Sequence, residues 1–333
     1  MRAFLLALIF AALLPAAKTL DVYFIDVEGG QATLVVSPSG QSMLVDTGWA
    51  GFNNRDADRI LAAAKLAGVK QIDYLVVTHY HADHVGGVPQ LAAKIPVKHY
   101  VDHGPNRESG QNPDALYSAY QKSWGSGQHM VVKPGDRIPV KGLDVQVLTA
   151  DGEMIKSPLK GAGMANPACA GDIAKPEDKS ENARSTGTLI TFGKFRLIDL
   201  GDLTWNKERE LVCPKNLVGT VDVYLTTHHG MDASGPAAIV HALKPRVAIM
   251  NNGATKGGTP AAWTVIHNSP GIEDIWQVHY AVNAGKEHNA AEQFIANPDQ
   301  ANDQGKWIKL SAEASGAFTV TNSRNNFSKT YKR

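Results

Sequence analysis

The chain predicts an α/β protein built as a four-layer sandwich, with two sheets face to face and helices outside. Three features carry that expectation. Short runs rich in Val, Ile, Tyr and Phe open the chain and are separated only by turn signals. Strands and helices then alternate, and each half of the chain runs from strands into helices, which fits two covered sheets better than one doubly wound sheet.

The opening runs, 21–27, 32–37 and 43–46, are joined by Glu28-Gly29-Gly30 and Ser37-Pro38-Ser39-Gly40 and read as an antiparallel meander. Apolar residues at helical spacing (Ile60, Leu61, Ala64, Leu66) predict a helix over 54–67 that stops at Gly68. Strands follow at 74–78, 97–101, 143–148, 187–192, 195–200, 221–226, 247–250 and 275–278, with helices at 114–124, 236–243 and 261–267. The segment 151–184, rich in Gly, Pro, Ala, Lys and Asp and without a period, reads as a long loop, expected to be a flap near a site, a mobile surface insertion being the alternative. A terminal hairpin is expected over 307–320.

Met1-Arg2, the apolar run 3–14 and Pro15-Ala16-Ala17 have the layout of an export signal. About 12 apolar residues fall short of the roughly 20 that a bilayer core requires. The expected organisation is therefore a signal peptide at 1–17, one hydrolase domain at 18–323 and a polar tail at 324–333, with the mature protein secreted or periplasmic and without a membrane span. Cys169 and Cys213 are the two cysteines of the chain; an oxidising compartment permits a disulfide, and two buried thiols are the alternative. A composition with 43% hydrophobic and 20% charged residues excludes disorder and miniprotein scaffolds, and a net charge of +1 gives no nucleic-acid footprint.

The twelve histidines are unevenly placed. His79, His81, Asp83 and His84 fall within six positions directly after a predicted strand, where packing gives no reason for them. His79 and His81, two apart at a strand end, share a side and suit one metal; Asp83 and His84 follow as the chain turns and suit a second. Asp46 and Asp202 end two other strands. Asp202 is placed to bridge two metals, and Asp46 to orient a ligand histidine. His228 and His229 end a further strand; one is expected on metal, as His229 is assigned here, and the other facing substrate. Asp83, His228 and Asp46 are the candidates for catalytic roles.

The His79-to-His84 run, with Asp46 before Gly48 and Asp202 downstream, resembles the metallo-β-lactamase superfamily over roughly residues 20–260. The opening 21–31, Leu44-Val45-Asp46-Thr47-Gly48 and Thr227-His228-His229-Gly230 are most similar to the hydrolase domain of the competence protein ComEC and to secreted phosphorylcholine-esterase-like members. The resemblance implies an αββα sandwich with a zinc site of one or two ions, Mn²⁺ being an alternative, and phosphodiester substrates attacked through a metal-bound hydroxide. Lactone, thioester or β-lactam hydrolysis, and a diiron redox or purely metal-binding role, are the competing expectations. The sequence departs from the superfamily where a further metal-binding histidine is common: it has Glu181-Asn182-Ala183-Arg184-Ser185 there. His103 is one candidate to replace it, a hydrogen-bonded turn being its other reading. Thr259 stands where the subgroup often has histidine. His279 is expected to pack among aromatics, and Arg184 and Lys256 are candidates to bind a single phosphate.

Overall fold

The computed structural model describes residues 19–333, so the expected signal peptide lies outside the described residues. The strands are β1 (Leu20–Phe24), β2 (Thr33–Val36), β3 (Ser42–Val45), β4 (Ile72–Val76), β5 (Val97–Asp102), β6 (Gln128–Val131), β7 (Arg137–Ile138), β8 (Asp144–Ala150), β9 (Glu153–Met154), β10 (Gly187–Phe192), β11 (Phe195–Asp199), β12 (Val223–Leu225), β13 (Val247–Met250), β14 (Asp274–His279), β15 (Ile295–Asn297), β16 (Ile308–Ala312), β17 (Phe318–Asn322) and β18 (Ser328–Tyr331). The helices are α1 (Arg55–Leu66), α2 (Ala82–Val85), α3 (Val88–Ala92), α4 (Gln111–Lys122), α5 (Trp205–Val212), α6 (Ala237–Leu243) and α7 (Pro260–His267).

One sheet runs β18-β17-β16-β1-β2-β3-β4-β5-β6 and the other β15-β14-β13-β12-β11-β10-β8-β7, with β9 paired to β8. The opening meander is antiparallel, whereas β3, β4, β5 and β6 are parallel. Strand periodicity sorts the side chains into layers. Val22, Phe24, Val45 and Val76 meet Val145, Ile190, Leu197 and Ile249 between the sheets. Tyr23, Leu44 and Leu75 face the other way, onto Ile60, Val88 and Leu91 of the first helix layer. Ile198, Tyr224 and Ala248 pack outward on Leu211, Ile239 and Trp263 of the second. This is the expected four-layer αββα sandwich.

Two expectations need correction. The tail at 324–333 is part of the domain: β18 pairs antiparallel with β17, and Tyr331 is buried in the inter-sheet core. Alternation in Ser328-Lys329-Thr330-Tyr331 is too short and polar to announce a strand, and pairing with β17 creates it. The long loop is also no free flap. Its start forms β9, and its middle is tied to the α5–α6 face through a Cys169–Cys213 disulfide and through Asn166, whose side-chain amide donates to the carbonyls of Val212 (3.2 Å) and Ala238 (2.8 Å). Only its far end, 181–185, reaches the site.

Glu208 on α5 is fully buried, and its Oε2 accepts the Gly235 N–H at 2.6 Å. Burial pushes its carboxyl up to about 8. The folded state thus holds this proton more tightly than the unfolded chain. Its contribution to stability is complete below about pH 4.5 and is lost as pH rises through 8. Glu208→Gln should unfold with wild type near pH 4.5 and several degrees higher than wild type at pH 9, measured by thermal denaturation.

Candidate metal centre

The site lies where the strand tips of both sheets meet, which is where short loops can present side chains without disturbing the core. Asp46 follows β3, Thr78 and His79 follow β4, Asp202 follows β11, and His228 and His229 follow β12. Asp46, His228 and His229 adopt left-handed backbone conformations, with φ of 59°, 55° and 56°. Such conformations cost about 1–3 kcal/mol each and persist where the surroundings enforce them. Here the backbone does: Asp46 N–H donates to Val76 O at 2.9 Å, and His228 N–H to Gly201 O at 3.0 Å.

Asp83, His84, Asp202 and His229 each bring a donor atom into one buried group spanning no more than 4.8 Å. His84 Nε2 is 3.2 Å from His229 Nε2, 3.3 Å from Asp83 Oδ2 and 3.3 Å from Asp202 Oδ2. His229 Nε2 is 3.2 Å from Asp83 Oδ2 and 3.4 Å from Asp202 Oδ1. Four ligands at roughly 2.0–2.1 Å around a tetrahedral ion stand about 3.3 Å apart, so these spacings suit one.

The hydrogen bonds behind the ligands decide which nitrogens are free. Asp46 accepts from Thr78 N–H (2.8 Å), Thr78 Oγ1–H (2.7 Å) and His84 Nδ1–H (2.7 Å). His84 Nδ1 is thereby taken up, and Nε2 is the nitrogen turned into the group. Because the single Thr78 hydroxyl proton goes to Asp46, Thr78 Oγ1 accepts from His79 Nδ1–H at 3.0 Å. His79 Nε2, buried and without a partner, is left as a lone pair. His81 donates Nε2–H to Glu108 Oε1 at 3.3 Å, which frees its Nδ1. Ser234 Oγ donates to Leu203 O and accepts from His228 Nδ1–H at 3.2 Å, which leaves His228 Nε2 facing Asp202 Oδ2 at 3.3 Å. Two buried carboxylates with imidazole nitrogens turned toward them, at spacings of 3.2–3.4 Å, are the donor chemistry of a divalent-metal site, so the residues fit such an ion.

The electrostatics agree. Burial alone would raise Asp202 and Asp83, yet the surrounding imidazoles hold both well below the usual carboxylate range. Burial opposes charge on His84, but Asp202, Asp83 and Asp46 together hold it well above its ordinary value. Burial and the neighbouring His84 push His79 down, keeping it neutral as a ligand must be.

Of the residues singled out by sequence, the structure therefore gathers Asp83, His84, Asp202 and His229, and sets His79 beside them, its ring 4.1 Å from that of His84. His81 stands 4.7 Å from His79 and is partly exposed. Asp46 is behind His84. His228 lines the more open side. His103 does not join: its Nε2 pairs with Glu181 Oε2 at 3.0 Å, both buried. His279 lies elsewhere and binds Asp26 Oδ1 at 2.7 Å, so a carboxylate rather than aromatic packing explains its burial. Arg184 leans on Asp151, away from the donors.

Thr78, Glu108, Ser185 and Ser234 were not legible as site residues. Ser185 occupies the region of the missing histidine, with Oγ 3.5 Å from His79 Nδ1 and accepting the Asp202 N–H at 3.2 Å. Glu108 sits on a loop with no motif, and only the fold shows that it meets His81. A carboxylate behind a ligand imidazole commonly changes metal affinity 10–100-fold. Glu108→Gln tests the expected ligand role of His81: metal binding should weaken at least about tenfold, measured by chelator competition, while the melting temperature of the metal-free protein stays put.

Part of this arrangement lies in a segment that matches a known family. Residues 25–170, which include Asp46 and the His79-to-His84 run, match the metallo-beta-lactamase superfamily. The chain is 24% identical over 237 residues to Recombination protein 2 of Haemophilus influenzae, covering 71% of this chain and 24% of that protein. It is 24% identical over 248 residues to ComE operon protein 3 of Bacillus subtilis, covering 70% and 28%; the chain thus matches about a quarter of the length of these two relatives. Hydroxyacylglutathione hydrolase of Rhodopseudomonas palustris is 31% identical over 106 residues, 32% of this chain and 35% of that enzyme. Among solved structures, the metallo-beta-lactamase fold protein YhfI from Bacillus subtilis aligns with a TM-score of 0.47 at 14% identity, covering 78% of this chain and 96% of that one. On the matched segment and the motif within it, this chain carries a metallo-beta-lactamase superfamily domain.

Proposed function

We propose that the protein is an exported, zinc-dependent hydrolase of a phosphodiester or related phosphoester. The observation that carries the metal-dependent part is the buried group of Asp83, His84, Asp202 and His229, whose donor atoms lie within 4.8 Å of one another, with His79 Nε2 presented beside it. When bound, a divalent metal supplies positive charge for a developing oxyanion and makes water a nucleophile near neutral pH. The protein's own residues do the rest. Asp46, Thr78, Glu108 and Ser234 fix the imidazole tautomers, and His228, which burial holds below its ordinary value, offers Nε2 to receive and return a proton at the open side.

Resemblance to the ComEC-type relatives supports a phosphoester. The Cys169–Cys213 disulfide supports an oxidising compartment outside the cytoplasm, and among the described residues no helix is long and apolar enough to cross a membrane. The balanced charge favours a small or local phosphoester over a long polyanion. A carbonyl substrate is the second reading, favoured by the match of about a third of the chain to hydroxyacylglutathione hydrolases. Metal analysis of the purified protein, followed by a panel of phosphodiester, phosphomonoester, thioester, lactone and β-lactam substrates, separates them. Zinc with turnover of bis-(p-nitrophenyl) phosphate is the expected result; turnover of thioester or lactone alone establishes the second reading. Iron with a charge-transfer band overturns both.

A further inference from the structure

Lys256 is the cation in contact with the donor group, its Nζ meeting Asp83 Oδ2. Its ammonium also lies 5.0 Å from the centre of the Trp49 ring, on the loop that follows Asp46. The root of the side chain is rigidly held. A Cβ on Gly257, at φ 75°, would lie 2.1 Å from His229 O, and one on Gly29 would lie 3.0 Å from Lys256 Cβ. The Gly253–Lys256 turn is closed by Gly253 N–H donating to Lys256 O at 2.8 Å. The backbone is thus wedged between the opening loop and the His229 turn, and only the flexible end of Lys256 can move. The same residue walls a cavity of about 240 Å³ shared with Met231, Thr255, Thr259 and Asn283.

We propose that Lys256, backed by Trp49, is the subsite for the substrate's phosphoryl anion. The proposal rests on the phosphoester reading and adds to it which residue recognises the charge. A divalent metal on Asp83 competes with the Lys256 ammonium for the same oxygen and repels it at that range, which favours the ammonium turning away. With metal on Asp83, the ammonium turns outward while its stem stays in place, and the partner it then needs is an anion at the mouth of the site. A phosphodiester carries that anion on a non-bridging oxygen; a neutral ester or lactone does not. The flanking cavity takes one ester substituent. A charge-assisted hydrogen bond there discriminates anionic from neutral substrates more than it changes the hydrolytic machinery.

The test compares wild type with Lys256→Met, Lys256→Arg and Trp49→Ala, after metal content and thermal unfolding have been measured for each. Metal content should be undiminished in Lys256→Met. Its affinity for inorganic phosphate, titrated calorimetrically into the metal-loaded protein, should fall 10–100-fold, and kcat/KM for bis-(p-nitrophenyl) phosphate should fall in parallel. Turnover of the neutral ester p-nitrophenyl acetate should change less than about twofold, Lys256→Arg should recover most of the phosphate affinity, and Trp49→Ala should lose a few-fold. Phosphodiester turnover and phosphate affinity that survive Lys256→Met overturn the assignment. So does an equal loss on both substrates or loss of metal, which makes Lys256 a support for Asp83. If wild type turns over the neutral ester and no phosphoester, the phosphoester reading itself is what fails.

Discussion

Asp202→Ala should lower kcat/KM by at least about a thousandfold and remove the melting-temperature gain that metal gives the wild-type protein. Asp202 meets three histidines of the site: Oδ2 stands 3.3 Å from both His84 Nε2 and His228 Nε2, and Oδ1 stands 3.4 Å from His229 Nε2. Its removal takes a negative charge out of a buried donor set, so the remaining donors hold a dication less tightly, and His228 loses the carboxylate that faces its Nε2. Ligand binding to the folded state stabilises by RT ln(1 + [L]/Kd), so a weakened site shows directly as a lost shift. Calorimetric melting with and without zinc reads this independently of any substrate. A zinc-induced shift equal to that of wild type, together with retained activity, would remove Asp202 from the metal centre.

This ligand set was visible in the sequence because metal chemistry concentrates unusual residues at short spacing. His79, His81, Asp83 and His84 have no packing reason to cluster, and Asp46, Asp202 and the His228-His229 pair end strands whose apolar runs are plain. The supporting shell was not visible, for an equally physical reason. Thr78, Glu108, Ser185 and Ser234 are ordinary polar residues, and only their hydrogen bonds distinguish them. His103 shows the reverse error: a histidine at a strand tip looks like a ligand until the fold brings Glu181 to it across 78 positions. Lys256 lies between these cases, noticed as a cation but placed at Asp83 only by the closure of three loops.

Secondary structure followed the same division. Strands with strong β-branched or aromatic patterns, such as β4, β10, β11 and β13, lie within a residue or two of their expected positions. Short or polar strands at sheet margins, β6, β7, β9 and β15, carry too little pattern to be read and exist because a neighbour offers a ladder. The Trp-Asn-Lys-Glu-Arg-Glu opening of α5 is too polar to announce a helix; burial of Leu211 and Val212 against the second sheet makes it stable.

The last strand gives the largest test of that lesson. Tyr331 lies two residues before Arg333, in a segment that reads as a polar tail, yet it is 1% exposed. It stacks on Phe318 with ring centres 4.8 Å apart, accepts the Trp276 Nε1–H at 2.9 Å and donates to Asp274 Oδ2 at 2.7 Å. Those contacts tie β18 to β14 of the opposite sheet, so the tail bridges the sandwich. Tyr331→Ala removes a buried ring, leaves the Trp276 donor without a partner and takes one of two donors from Asp274, which keeps Lys329; the combination is expected to cost about 3–5 kcal/mol. Tyr331→Phe keeps the ring and loses only the hydroxyl, so its cost should be about 1–2 kcal/mol. Denaturant unfolding of the two variants distinguishes the roles. If 324–333 were a solvated tail, both would unfold with wild type, whereas a core strand makes the alanine variant the less stable by a clear margin.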